Sequence, residues 1–438
     1  MDALIKKVRN LEGVRGQILR AMLGVGGIKF ISLPITLLTS VLLARALGPI
    51  GYGNYVFVFT VVSLVALPIG PGLGQLITRE VALYKQVDDR DSLNGIYRRS
   101  IQWLSLGTIV LMVLFGGWLA LDPSAVSDER VKLFIVGLVL VPLIGLSSIK
   151  NSFLSGFKLV QLAQFTNLLV KPGTHFISIC LLFLLGLLSP AMALASQSLS
   201  LFIAVFVSGY FISGQLFLRY RSKSYKYNKD WIKSIFPFTM LVAVATLNSQ
   251  IGLLLLGWLG NAEEVAAMRV GMSGASLILF SLSIVNSVIA PYVASAKRTN
   301  DFKEMHKISR FSSRVAFIIA VPISIPLIFF GDNVVDIVYG KEYVDSSTFP
   351  LVVLSVAQLI NVGFGSIGVL LTMSGFEKDT LWGQVIALCS TFILALFLIP
   401  RFGANGAACS VSIGLVLWNL ILGFRLKKRL GFMPTFMG

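Results

Sequence analysis

The sequence predicts an all-α integral membrane protein of about twelve transmembrane helices, in two pseudo-symmetric six-helix lobes around a central cavity. Composition is the first reason. Of 438 residues 55% are hydrophobic and only 13% charged, where a soluble domain carries about 25% charge. Too few polar side chains remain to cover a surface facing water. Segment length is the second reason. The apolar stretches are continuous and long enough to cross roughly 30 Å as helix, which pairs every backbone N–H and C=O within one segment. A β-barrel would show short alternating segments instead. The third reason is the basic residues, which recur between apolar runs on alternate sides.

Each element follows in order. Residues 1–20 form a basic amphipathic segment expected in the cytoplasm, without the small-residue cleavage pattern of a secretory signal, so the first span is expected to direct insertion. Spans are expected at 21–44, 53–75, 100–121, 132–155, 165–187 and 191–214, which make the N-terminal lobe 21–214. Residues 215–234 read as a basic cytoplasmic linker. Spans at 235–257, 265–292, 313–331, 350–373, 380–400 and 405–424 make the C-terminal lobe 235–424, followed by a cytoplasmic tail, 425–438. Leu76–Tyr97 and Phe302–Arg314 mix apolar and charged residues at helical spacing and are expected to lie on the inner membrane surface.

The 37 Lys and Arg set the orientation. With the N-terminus inside, the outer side keeps only Arg45, Arg130, Lys132, Arg269, Lys341 and Arg401, and Lys29 and Lys171 fall inside spans. The rest are cytoplasmic, as the positive-inside rule requires, and an even number of spans keeps Arg425–Arg429 inside as well. The net charge of +17 is therefore a topology signal that also meets anionic lipid headgroups. A nucleic-acid partner is disfavoured, because the basic clusters are split among short loops. Cys180, Cys389 and Cys409 lie in apolar segments, and neither they nor His175 and His306 have disulfide or metal spacing.

The halves repeat faintly. Ser155-Gly156-Phe157 recurs as Ser374-Gly375-Phe376, Leu47-Gly48 as Leu259-Gly260, and the small-residue run from Pro190 as the run from Gly403. Parallel halves of this kind place a substrate path between them in many transporters.

Ala44-Arg45-Ala46-Leu47-Gly48-Pro49-Ile50-Gly51-Tyr52-Gly53 follows the first span, and Ile399-Pro400-Arg401-Phe402-Gly403-Ala404-Asn405-Gly406 precedes the last. With Tyr339-Gly340-Lys341-Glu342-Tyr343 before the tenth span, these stretches resemble the polysaccharide flippase family of the multidrug, oligosaccharidyl-lipid and polysaccharide exporter superfamily. The resemblance implies a bacterial inner-membrane flippase with both termini cytoplasmic. It would carry undecaprenyl-pyrophosphate-linked oligosaccharide repeat units, of O-antigen or a similar polysaccharide, to the periplasmic leaflet by alternating access. It implies a polysaccharide polymerase and a chain-length regulator as partners, and no cofactor. Proton or sodium coupling stays open.

Ionisable groups inside spans are costly and mark pathways. All 20 Asp and Glu fall outside the expected spans, whereas Lys29 and Lys171 fall within them, with His175 one turn beyond Lys171 and Arg45 and Arg269 at span ends. Cations without carboxylates suit an anionic passenger. Lys29 and Lys171 have snorkelling to the interface as their alternative, and Arg45 and Arg269 an ordinary interfacial role. His175 has packing or an interhelical hydrogen bond. Asn248, Gln250, Asn286, Gln358 and Asn361 are candidates to hydrogen-bond sugar hydroxyls, with helix–helix adhesion as the competing role. A drug exporter of the same superfamily is the runner-up, and the expected spans lack the coupling carboxylate it should need. A polyprenyl-sugar glycosyltransferase or polymerase would need acid and base groups gathered in an outer loop. The longest outer loop, 332–349, has no such set.

Overall fold

The computed structural model describes residues 14–219, 226–228, 230–299, 301–433 and 435. Among them there is no strand. The helices are α1 (Val14–Val65), α2 (Pro71–Gln86), α3 (Arg90–Leu121), α4 (Glu129–Gly137), α5 (Leu140–Gly156), α6 (Val160–Phe165), α7 (Lys171–Leu184) and α8 (Pro190–Arg219). They continue as α9 (Asp230–Leu259), α10 (Ala262–Arg298), α11 (Phe302–Phe329), α12 (Gly331–Val338), α13 (Val344–Phe364), α14 (Ile367–Met373) and α15 (Glu377–Leu430). The expected segment 1–20 is described only from Val14, where it already belongs to α1, and 220–225 and 229 of the expected linker lie outside the described residues.

Ten helical stretches among the described residues are long and apolar enough to cross a bilayer. Two of them, Gly27–Val65 and Glu377–Leu430, have 39 and 54 residues. At 1.5 Å per residue each reaches nearly twice the roughly 30 Å core or more. Both are interrupted: Gly48 has φ 64° and ψ 175°, and Gly403 has φ 54° and ψ −129°. These conformations favour glycine, since a Cβ would clash with the backbone. Each long stretch thus supplies two crossings around a kink, and the set is consistent with twelve. Lipid-facing residues stay uncovered, such as Leu121 at 88% and Leu184 at 81% exposure.

The helix boundaries differ from the expected ones at three places. The second span stops at Val65, because Pro68 lies in the turn 66–70 that follows and α2 begins only at Pro71. Proline lacks the N–H a helix interior needs. The stretch expected on the inner surface from Leu76 buries one face against the protein, with Leu76, Ile77 and Val81 fully buried, and leaves Leu83 and Val87 exposed. Its chain breaks at Asp88, with φ 51°, and α3 starts beyond it. Phe302–Arg314 is the first part of α11, continuous to Phe329, and no separate surface helix forms.

The contacts group the chain into two compact units. One is Pro34–Leu247, and the other joins Met1–Leu33 to Asn248–Gly438. The division falls inside α1, beside the helix-distorting Pro34, and inside α9. Within the first unit a Cβ at Gly70 would lie 2.5 Å from Gly145 Cα, so the turn before α2 meets α5 backbone to backbone. The described end of the linker docks in the same unit: Lys226 N donates to Asp91 O at 3.1 Å. Buried Trp231 donates from Nε1 to Tyr84 Oη at 3.0 Å. Within the second unit, Gly271 and Gly274 of α10 admit Pro350 and Leu351 of α13. Small residues at crossings let membrane helices approach closely.

Candidate functional site

The first unit contains a polar cavity. Along α5, Ser147, Ser148, Asn151, Ser152 and Ser155 recur one and four residues apart, which places them along one side of a helix. That side lines a cavity of about 320 Å³. Asn167 and Lys171 line it as well, and Ile144 and Leu201 supply apolar lining.

A π turn over Thr166–Val170 joins α6 to α7, with Lys171 N donating to Thr166 O. Pro172 explains it. A proline ring collides with the carbonyl four residues back in a regular α-helix, and one extra residue in the turn relieves that collision. Such bulges occur frequently at functional sites. Asn151 fastens the turn. Its Nδ2 donates to Asn167 Oδ1 at 2.9 Å, and its Oδ1 accepts from Thr166 Oγ1 at 2.8 Å and Ser208 Oγ at 3.3 Å. One buried amide thereby joins α5, the π turn and α8.

Lys171 is half-buried, and its ammonium has neither a carboxylate nor a hydrogen-bond acceptor among the described residues. No carboxylate lines the cavity. Lys150, also on α5, differs, because its Nζ donates to Val205 O at 3.0 Å. An unneutralised cation in a membrane interior is unfavourable unless water or an anion meets it.

The other sequence-derived candidates lie elsewhere. His175 is buried between helices, with Nδ1 3.1 Å from Ser196 Oγ and Nε2 3.5 Å from Tyr55 Oη, an interhelical network. Arg45 is exposed near the Gly48 kink. In the second unit, Lys29 Nζ donates to Ser287 Oγ at 2.7 Å and to Ser283 O at 3.2 Å. It is thus held to α10, and Phe30 packs on Phe280 beside it. Asn286 belongs to the same stretch of α10, and its buried Oδ1 has no hydrogen-bond partner. Gln250 Oε1 is likewise buried without one. Asn248 Nδ2 donates to Gln384 O at 3.0 Å. Asn361 Nδ2 donates to Gln358 Oε1 at 3.1 Å and accepts at Oδ1 from Asn419 Nδ2 at 3.0 Å, an amide chain linking α13 to α15. Arg269 is half-buried in the second turn of α10.

Among the residues singled out from sequence, Lys171 alone lines the polar cavity. Sequence reasoning missed Asn151, Asn167 and the serines. The serine and asparagine spacing inside one apolar run was the available signal.

A family model described as polysaccharide biosynthesis protein matches residues 19–297, more than half of the chain. A putative O-antigen transporter of Shigella flexneri is 24% identical over 395 residues, covering 87% of this chain and 90% of that protein. Among solved structures, an inward-facing multidrug resistance MATE family transporter of the MOP superfamily superposes with a TM-score of 0.73. It is 15% identical and covers 91% of this chain and 94% of its own. The lipid II flippase MurJ in an inward closed conformation gives a TM-score of 0.71 at 16% identity, covering 91% and 86%. These structural likenesses establish the fold. The proteins matched are transporters and flippases rather than enzymes, and the chain is a membrane transporter.

Proposed function

We propose that the chain, which belongs to the polysaccharide biosynthesis protein family, translocates undecaprenyl-pyrophosphate-linked oligosaccharide repeat units, of O-antigen or a similar polysaccharide, across the bacterial inner membrane. Transport is by alternating access from the cytoplasmic to the periplasmic leaflet, with both termini in the cytoplasm. The observation that carries this reading is the sign of the charge inside the spans. Lys29 and Lys171 are held within the helical units without a carboxylate partner among the described residues. The anionic groups of such a glycolipid, phosphate or carboxylate, are stabilised by such cations on leaving water, because charge-assisted hydrogen bonds strengthen where the dielectric is low. Serine and asparagine side chains in the same interior suit sugar hydroxyls. Similarity to an O-antigen transporter supports the same substrate class.

The reading needs no cofactor, and either a proton or sodium gradient can drive it. A polysaccharide polymerase and a chain-length regulator are the partners it implies. Deletion of the gene tests it. Mass analysis of polyprenyl-linked glycans should show complete repeat units trapped on the cytoplasmic side. Unchanged surface polysaccharide in a clean deletion contradicts the reading. Cation-dependent dye efflux by the purified protein in proteoliposomes would favour a drug exporter instead.

A further inference from the structure

The charge lining the cavity beside α5 is of one sign, and its hydrogen-bonding groups are of both kinds, which together point to a class of ligand. Ser152 Oγ donates to Ser148 O at 2.8 Å and Ser155 Oγ donates to Asn151 O at 2.9 Å. With their hydrogens given to the helix, both oxygens face further partners only as acceptors. Three donor groups are unspent: the Lys171 ammonium, the Asn167 Nδ2 group and the Ser148 hydroxyl have no acceptor among the described residues. One full positive charge is present and no carboxylate opposes it. The cavity, about 320 Å³, lies at the small end of the roughly 300–1,000 Å³ range of ligand pockets, room for a single sugar ring.

We propose that this cavity is a subsite for one carboxylate-bearing sugar of the transported glycan, a uronic acid residue. The carboxylate meets Lys171 and the Asn167 amide, while ring hydroxyls donate to Ser152 and Ser155. The charge count favours a uronate over the pyrophosphate. One ammonium neutralises a monoanion, whereas pyrophosphate would keep surplus negative charge in a low-dielectric site, which is strongly disfavoured. The Asn151 amide holds Asn167 and the π turn in place, so the donors stand ready before the ligand enters and less ordering accompanies binding. The inference rests on the flippase reading and narrows its substrate.

The test uses the full-length purified chain in nanodiscs and three probes: methyl β-glucuronide, methyl β-glucoside and inorganic pyrophosphate. Titration calorimetry should find the glucuronide about tenfold tighter than the neutral glucoside, the value of one charge-assisted hydrogen bond, with pyrophosphate the weaker competitor. Lys171→Met should abolish that preference. Should that variant fail to accumulate, Asn167→Leu, on the exposed rim, should weaken the glucuronide alone. Equal binding of the two glycosides, tighter binding of pyrophosphate, a preference surviving in Lys171→Met, or unchanged glucuronide binding in Asn167→Leu overturns the proposal. Glycan trapped in the deletion strain together with equal glycoside binding would remove the subsite and keep the flippase. Glucuronide preference without trapped glycan would do the reverse.

Discussion

Asn151 Nδ2 donates to Asn167 Oδ1 at 2.9 Å, from the middle of α5 to a residue inside the π turn. Because Asn151 also accepts from Thr166 and Ser208, its removal strands several polar groups in an apolar interior. Interhelical hydrogen bonds in membranes average about 0.6 kcal/mol each, so Asn151→Leu should cost about 1–2 kcal/mol. Thermal unfolding in detergent measures this, and an unchanged midpoint would show that the hub holds nothing.

The Gly403 kink should be intolerant. A Cβ there would be strained at φ 54° and would collide with the Glu264 carboxylate. That carboxylate accepts from Asn261 N at 3.1 Å in the capping box that starts α10. Left-handed backbone costs about 1–2 kcal/mol for a residue with a Cβ, and loss of a cap about 1 kcal/mol more. Gly403→Ala should lower the melting temperature clearly, whereas Gly116→Ala, in open space, should cost little.

At the start of α3, Asp89 accepts from Ser92 N at 3.0 Å and from Ser92 Oγ at 2.8 Å. The backbone hydrogen bond from Ser92 holds its carboxyl below the usual carboxylate range. A lowered acid pKa means stabilisation that is complete above the unfolded value, about 3.9, and fades as pH falls through the lower folded value. Asp89→Ala should therefore cost about 1 kcal/mol at neutral pH, the usual worth of such a cap. The gap from wild type should close under acid. Melting curves at pH 7 and at the acid limit decide it.

The architecture was legible because lipid leaves few choices. A continuous apolar run in hydrocarbon must be helical, and Lys and Arg mark its ends. Lys29 and Lys171 stood out for the same reason, as charges where charge is expensive. Boundaries were less legible. Leu76–Tyr97 reads as one helix because its apolar and charged residues keep helical spacing, yet the chain breaks at Asp88 between α2 and α3. Asn151 and the α5 serines escaped notice because a short polar side chain in a span reads as local helix adhesion. Only the π turn, which fixes where Asn167 and Lys171 lie, shows that they share a cavity. Pro172 signalled a bend in that span but not the extra residue in its turn. His175 hydrogen-bonds to Ser196 and Tyr55, partners too distant in sequence to be read from it.

The central claim is that uncompensated cations inside the helical units meet the anionic groups, phosphate or carboxylate, of a transported glycolipid. Flipping of a fluorescent, uronic-acid-containing undecaprenyl-pyrophosphate-linked oligosaccharide by the reconstituted chain, compared with Lys29→Met and Lys171→Met at equal incorporation, tests it most directly. A charge-assisted contact is worth about 1.5–3 kcal/mol, so each variant should flip about tenfold more slowly or worse. Wild-type rates in both variants would contradict the claim.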